Sequence, residues 1–411
     1  MIDDVITQAE KDCAQRHADV SKLVEANQKR VLDAFISNRV SDTHFHSTTG
    51  YGYDDIGRET LEAVYASIFG GEDALVRPQI VSGTHAISTA LFGLLRPGDE
   101  LLYITGKPYD TLESVIGTNG GASGSLADFN ITYNQVELKD DGSVDYQGIR
   151  RKLTEKTAVV GIQRSKGYDD RPSFTIDEIA EMVAFVKEIN ENATVFVDNC
   201  YGEFVEEEEP LHAGADIIAG SLIKNPGGGI VRAGGYIAGK ENLVQQCANR
   251  LTAPGLGKET GATFHTLQEM FQGLFMAPLI VGEALKGAIL TARLLEMVGF
   301  HTSPGYQAKR TDLIQSVTFN DAEHMVLFCQ SIQRNSPINA FVTPYPAEMP
   351  GYDDEVIMAA GTFIQGASLE LTADGPIREP YMAFIQGGLT YAHVKLALKA
   401  ALEELKEKEL V

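Results

Sequence analysis

Apolar positions recur at helical spacing over residues 3–36, where Val5, Ile6 and Ala9 lead on to Val20, Leu23, Val24, Val31, Leu32 and Phe35. That periodicity predicts one long amphipathic helix, with Asp3 as its N-cap. A loop rich in glycine and tyrosine follows, STTGYGYDDIGR (47–58). From about residue 60 the pattern alternates. Helices are predicted near 60–69, 85–95 and 110–117, the second after an SGTH turn, and in TIDEIAEMVAFVKEIN. The short apolar runs ELLYIT, NITYNQVEL, TAVVGIQ, ATVFVDN, ADIIAGS and GGYIAG read as strands. Such alternation implies an α/β fold, with a mostly parallel sheet covered by helices on both faces. Residues 240–300 read as mainly helical. Beyond about residue 304, the strand candidates EVIMAAGTF and ASLELT and two helices, 321–334 and 388–408, outline a separate α+β lobe. The expected organisation is therefore an N-terminal helix and loop (1–60), a large domain (61–300) and a smaller C-terminal domain (301–411).

Composition narrows the function classes. A net charge of −23, with 57 acidic residues and no basic patch, argues against a nucleic-acid partner. The four cysteines are scattered and form no CxxC pair, which suits a reducing cytosol and neither a disulfide scaffold nor a structural zinc site. The start, MIDDVITQAEKDC, is acidic and lacks the apolar stretch of a signal peptide. The run GLFMAPLIVGEAL meets Glu283, Lys286 and Arg293 and reads as too short and too polar to span a bilayer. The expectation is a cytoplasmic protein with a small-molecule partner and no membrane partner. The EEEE run at 206–209 reads as a solvated loop.

Three segments carry candidate chemistry. In GSLIKNPGGG (220–229), Lys224 falls just beyond the strand ADIIAGS, where α/β enzymes keep their reactive groups. A lysine taken alone is by default a surface residue, yet partial burial turns the same amine into a nucleophile. VFVDNCYGEF (195–204) sets Asp198 at the end of an apolar strand, where a carboxylate needs a positive partner. VSGTHAISTALFGLL (81–95) sets Ser82, Gly83 and Thr84 before an amphipathic helix, and free N–H groups with the helix dipole suit a phosphate there. A phosphate cradle, a carboxylate and an amine are the parts that hold pyridoxal 5′-phosphate: the amine forms the Schiff base and the carboxylate keeps the pyridine nitrogen protonated.

The order SGTHA, VDNCYGEF, SLIKN resembles fold type I pyridoxal-phosphate enzymes, the aspartate aminotransferase superfamily. Within it the chain resembles the cystathionine lyase and methionine γ-lyase branch, and most of all the aluminium-resistance or methionine γ-lyase-like proteins, over nearly its whole length. The resemblance implies a large cofactor-binding domain with a mostly parallel seven-stranded sheet between helices. It also implies a smaller C-terminal α+β domain joined by the N-terminal segment. It makes Lys224 the Schiff-base lysine and Asp198 the pyridinium partner. Ser82, Gly83, Thr84 and the Ser221 hydroxyl become phosphate ligands, and Tyr109 of GKPYDTLES becomes the aromatic that stacks on the ring and assists the leaving group. Arg378 of GPIREPYMAF resembles the arginine that clamps the substrate carboxylate. The family also sends a Tyr-x-Arg element to a neighbour's phosphate. YGYDDIGR has acids where that arginine would sit, so Tyr53 and Arg58 are its approximate substitutes. A homo-oligomer, dimer or tetramer, with shared active sites is thereby implied.

Other features weigh less. DTHFH (42–46) has two histidines but no third metal ligand nearby and reads as an entrance loop; no metal is expected. GGG (227–229) precedes a strand and is no dinucleotide fingerprint. RSKGYDDRPS (164–173) follows a strand and is a candidate lining of the cofactor edge, with Arg171 a second candidate anion clamp, and His85 fills the helix start. The leading reading is a carbon–sulfur lyase acting by α,β- or α,γ-elimination on a cystathionine-, cysteine- or methionine-type amino acid. The alternatives are an aminotransferase on the same scaffold and a non-catalytic stress or binding protein. The pairing of Lys224 with Asp198 argues against the last, because a pure scaffold needs neither.

Overall fold

A computed structural model describes residues 2–118, 123–319, 321–349 and 352–409. Among them, seven strands form one sheet: β1 (Asp73–Arg77), β2 (Glu100–Tyr103), β3 (Thr132–Gln135), β4 (Thr157–Gln163), β5 (Thr194–Asp198), β6 (Ile217–Ser221) and β7 (Gly235–Gly239). Their spatial order is β1-β7-β6-β5-β4-β2-β3. From β6 to β3 the pairings are parallel, and β7 runs antiparallel to both its neighbours. Eight helices accompany this part of the chain: α1 (Ile2–Ser37), α2 (Ile56–Phe69), α3 (Gly83–Leu94), α4 (Thr111–Ile116), α5 (Tyr146–Lys152), α6 (Ile176–Ile189), α7 (Glu241–Leu251) and α8 (Leu267–Met297).

Strands β4 to β7 are largely apolar because they are buried on both faces, whereas the edge strand β3, TYNQ, is exposed or half-buried. Phe196 points toward α3 and α7, in one core with Ala90, Leu91 and Val244. Val195 and Val197 point the other way, toward α2 and α6, in a second core with Leu61, Ile179 and Val186. The smaller domain is an antiparallel sheet of five strands, β8 (His301–Ser303), β9 (Gln315–Thr318), β10 (Val356–Ile357), β11 (Thr372–Pro376) and β12 (Met382–Gln386), ordered β10-β11-β12-β9-β8. It packs with α9 (Ala322–Arg334) and α10 (Tyr391–Glu407). Helix α1 joins the two: Ile6 and Ala9 sit in the smaller domain's core, while Val20 and Val31 sit in the large one.

Several local expectations change. Asp3 lies inside the first turn of α1 and not ahead of it. The SGTH segment is no separate turn but the start of α3, with Ser82 as N-cap. Helix α8 runs for 31 residues, long and apolar enough by length and composition to cross a membrane, contrary to the reading of GLFMAPLIVGEAL as too short. Two-thirds of its most apolar window (67%) is buried against the rest of the protein, so the same surface is explained by packing. Glu206 and Glu209 are buried, contrary to the solvated-loop reading. Arg164, fully enclosed at the end of β4, pairs with both at 3.2 and 3.4 Å and draws them in, while Glu207 and Glu208 stay exposed.

Candidate active site

Strands β4, β5 and β6 run parallel and therefore end on one edge of the sheet, where Gln163 stands in register with Asp198. That edge gathers the sequence-predicted groups. Asp198 is buried, 5% exposed, and its Oδ1 accepts the Cys200 N–H at 3.1 Å. Burial pushes its pKa up, and Cys200, Lys224 and Arg171 pull it back in part. Ser221 closes β6, and its buried hydroxyl has no hydrogen-bond partner among the described residues. The first residue of α3 faces it: a Cβ added to Gly83 would stand 3.4 Å from both Ser221 Cβ and Cys200 Sγ. The Ser82 hydroxyl caps α3, accepting the His85 N–H at 3.0 Å, and Thr84 Oγ1 lies 2.9 Å from the hydroxyl of Thr111.

Lys224 follows at the head of a short turn, Asn225–Gly227, that bends the chain back under the sheet edge. The glycines after it answer to packing. A Cβ on Gly227 would fall 1.8 Å from the Leu222 carbonyl, and one on Gly228 would fall 2.2 Å from the Gly273 carbonyl of α8, so no side chain fits at either. The Lys224 Nζ lies 3.6 Å from the centre of the Tyr201 ring. Tyr201 itself holds φ at 71°, a left-handed backbone costing a tyrosine about 1–2 kcal/mol, which turns the ring beneath the amine. Burial works against the ammonium, but Tyr201 and Cys200 more than offset it and the net shift of the Lys224 pKa is upward.

Phenols enclose the rest of the site. The Tyr109 hydroxyl meets that of Tyr352 at 2.5 Å, and the Tyr109 and Tyr168 ring centres are 6.2 Å apart. Tyr168 donates to Asp374. Burial holds all three phenols above their ordinary pKa, Tyr352 at about 12. Tyr201, Tyr352 and Asp374 carry no motif, and sequence reasoning missed them; Tyr168 was marked only as part of the 164–173 segment. The only available signal was Tyr201 directly following the Asp198 strand.

Outward of Tyr109 lie two adjoining cavities of about 200 and 230 Å³ that share Lys107, Asp110 and Arg378. Arg378 is exposed at this mouth, pairing with Asp354 at 3.1 Å and donating to the Tyr168 carbonyl at 2.8 Å. Arg171 is occupied otherwise. Its guanidinium donates to the carbonyls of Thr105, Gln163 and Ser165, which brace the strand ends and leave its Nη groups engaged. Arg58 is likewise turned inward, donating to the carbonyls of Gly52, Glu259 and Gly261. Tyr53 is exposed and stacks on Tyr51, ring centres 5.4 Å apart. DTHFH forms a short turn in which His44 Nδ1 accepts the Ser41 N–H, away from the strand ends. A cleft of about 440 Å³ between α1, α6 and α8 is larger than either site cavity. Of the charges lining it, Lys309 pairs with Glu206 and Arg16 with Asp19, while Glu207 and Glu208 are exposed.

A model of the family described as methionine gamma-lyase matches residues 2–406. An uncharacterized protein of Bacillus subtilis (strain 168), YnbB, is 63% identical over 405 residues, covering 98% of this chain and 96% of the relative. L-methionine gamma-lyase of Pseudomonas putida is 30% identical over 219 residues, 52% of this chain and 48% of that enzyme. The crystal structure of a carbon-sulfur lyase involved in aluminum resistance from Clostridium novyi NT superposes with a TM-score of 0.94 at 49% identity, covering 98% of this chain and 96% of that one.

Proposed function

The chain belongs to the methionine gamma-lyase family, and from that premise we propose that it is a pyridoxal 5′-phosphate-dependent carbon–sulfur lyase acting on a sulfur-containing amino acid. One observation carries the reading: the amine of Lys224, the buried carboxylate of Asp198 and the unpartnered hydroxyl of Ser221 converge beside the open first turn of α3. The donor set fits the cofactor. Ser82, Gly83, Thr84 and Ser221 would hold its phosphate, Asp198 its ring nitrogen and Lys224 its aldehyde carbon. Tyr109 would stand against its ring. An unsatisfied buried hydroxyl costs about 1–3 kcal/mol, which a phosphate oxygen at Ser221 would relieve.

When bound, the cofactor supplies an electron sink for the pair left by a broken Cα–H bond. The protein's own groups do the rest. Arg378, at the mouth, takes the substrate carboxylate and sets the Cα–H bond toward Lys224. The Lys224 amine takes the α-proton, and its flexible stem lets it carry a second proton at Cβ when the sulfur is on Cγ. Tyr109 presents its hydroxyl to the departing sulfur, and the enclosing phenols keep water from the site. Loss of the sulfur from Cβ leads to pyruvate and from Cγ to oxobutyrate, each with ammonia and a thiol.

Borohydride reduction of the purified protein followed by peptide mapping should place a pyridoxyl label on Lys224, and Lys224→Ala should lose it; a label on another lysine refutes the assignment. Incubation with cystathionine, cysteine, methionine and homocysteine should release ammonia together with pyruvate or oxobutyrate from at least one of them. Amino transfer to an added keto acid, leaving a 2-oxo acid that keeps the donor's sulfur and releasing neither thiol nor ammonia, would replace the lyase reading with an aminotransferase.

The exposed Tyr51–Tyr53 stack and Val81, beside the Ser82 cap, support a dimer in which the 47–58 loop completes a neighbour's phosphate site. Sedimentation at assay concentration should give a dimer or tetramer, and an active monomer would overturn it.

A further inference from the structure

The smaller domain reaches the site with two side chains. Tyr352, ahead of β10, shares its hydrogen bond with Tyr109. Asp374, on β11, is 2% exposed; its Oδ1 accepts the Tyr168 O–H at 2.5 Å and its Oδ2 accepts from Gln386 Nε2 at 3.4 Å. Across the β11–β12 pairing Asp374 stands opposite Phe384, whose ring centre is 5.2 Å from that of Tyr168. Arg378, from the turn after β11, holds the Tyr168 carbonyl. Tyr168 is therefore gripped by hydroxyl, ring and backbone, all from the smaller domain. Its neighbour Gly167, with φ at 62°, lies against Tyr109 so closely that an added Cβ would come within 3.1 Å of Tyr109 Cδ2.

An asparagine at 374 would accept the Tyr168 hydrogen bond without the desolvation penalty of a buried charge, but more weakly than a carboxylate does. The groups facing Asp374 are Tyr168 and Tyr109 from the large domain's loops, Tyr201 and Lys224 beyond the ends of β5 and β6, Tyr352 ahead of β10 and Cys329 on α9. Lys224 is the one cation among them. We propose that Asp374 is a positioning residue: as a carboxylate it fixes Tyr168, and through Tyr168 the Tyr109 ring, so that the site is complete only with the smaller domain docked and Asp374 ionised. The inference rests on the proposed lyase reading for its activity readout and on the fold alone for its stability readout.

Burial holds the Asp374 pKa up at about 6, with Tyr168, Gln386 and Lys224 opposing it. The folded value lies above the ordinary carboxylate value, so the group's contribution to stability is full at low pH and is lost as pH rises through about 6. Activity should run the opposite way, appearing as Asp374 ionises. These opposed signs separate positioning from mere packing.

In the holoenzyme, kcat/KM should fall on the acid side with an apparent pKa near 6, and Asp374→Asn should remove that limb. By circular dichroism, Asp374→Asn should melt above wild type at pH 8, with the gap closing at pH 5. Tyr168→Phe takes away the hydroxyl through which the carboxylate acts and should likewise remove the acid limb, a second test should the asparagine variant fail to fold. An acid limb unchanged in either variant overturns the proposal, as does a melting gap equal at both pH values. The melting experiment needs neither cofactor nor turnover. If the protein binds no pyridoxal phosphate, the proposed function falls and the Asp374 comparison is still decided.

Discussion

Asp198 and Lys224 show how far single residues speak for themselves. Each stood out because its type is costly at the end of a buried strand without a partner. Asp198→Asn should keep the fold and remove a charge contact worth about 2–4 kcal/mol in a dry site, a roughly 30- to 1000-fold loss of rate. Steady-state kinetics would check this, and a variant within about twofold of wild type would rule the role out. Arg171 and Arg58 show the converse. Both looked like free cations in the sequence, and both are absorbed by backbone carbonyls that only the folded chain brings near. Tyr201, Tyr352 and Asp374 were illegible for the same reason, since nothing local marks a phenol that faces an amine.

At the scale of elements, the periodicities were informative wherever burial was one- or two-sided and continuous. TAVVGIQ is β4 to the residue, and the strands ending in Asp198 and Ser221 lie where their apolar runs place them. Strand β1, DALVR, escaped because it has only three apolar residues and ends in an arginine; that charge is buried against Glu62 at 2.6 Å, a pairing invisible until α2 packs on the strand. ASLELT shows the opposite error, for only its last residue, Thr372, belongs to a strand. Helix α3 offers a direct test of its first turn as an anion cradle. Gly83→Ala puts a methyl group 3.4 Å from its neighbours, an ordinary contact, and alanine suits a helix better than glycine by about 1 kcal/mol. The melting temperature should therefore hold or rise, while cofactor affinity falls at least tenfold by absorbance titration. Unchanged affinity would move the phosphate elsewhere.

At the scale of the molecule, burial of a carboxyl behind Lys224 sets a second pH dependence, with the Glu203 carbonyl held by Asn225 at 2.9 Å. Glu203, fully buried with Oε1 accepting from Tyr236 at 2.8 Å, is pushed by burial up to about 8. Its folded pKa exceeds the unfolded one, so its stabilising contribution is complete at acid pH and disappears as pH rises through about 8. Glu203→Gln, which keeps an acceptor for Tyr236, should match wild type in thermal melts near pH 6 and exceed it near pH 9. Equal melting at both pH values would show that the carboxyl is already ionised. The sequence by itself determined the layered α/β architecture, the separate C-terminal lobe and the order of helix-start turn, carboxylate and amine, because each follows from local periodicity or from a residue type set against its immediate neighbours. Only the tertiary structure decided which charges are spent on carbonyls, that α1 spans both cores, and that Tyr352 and Asp374 of the smaller domain close on Tyr109 and Tyr168. Those contacts join residues more than 200 positions apart, where the chain carries no pattern and packing alone selects the partner.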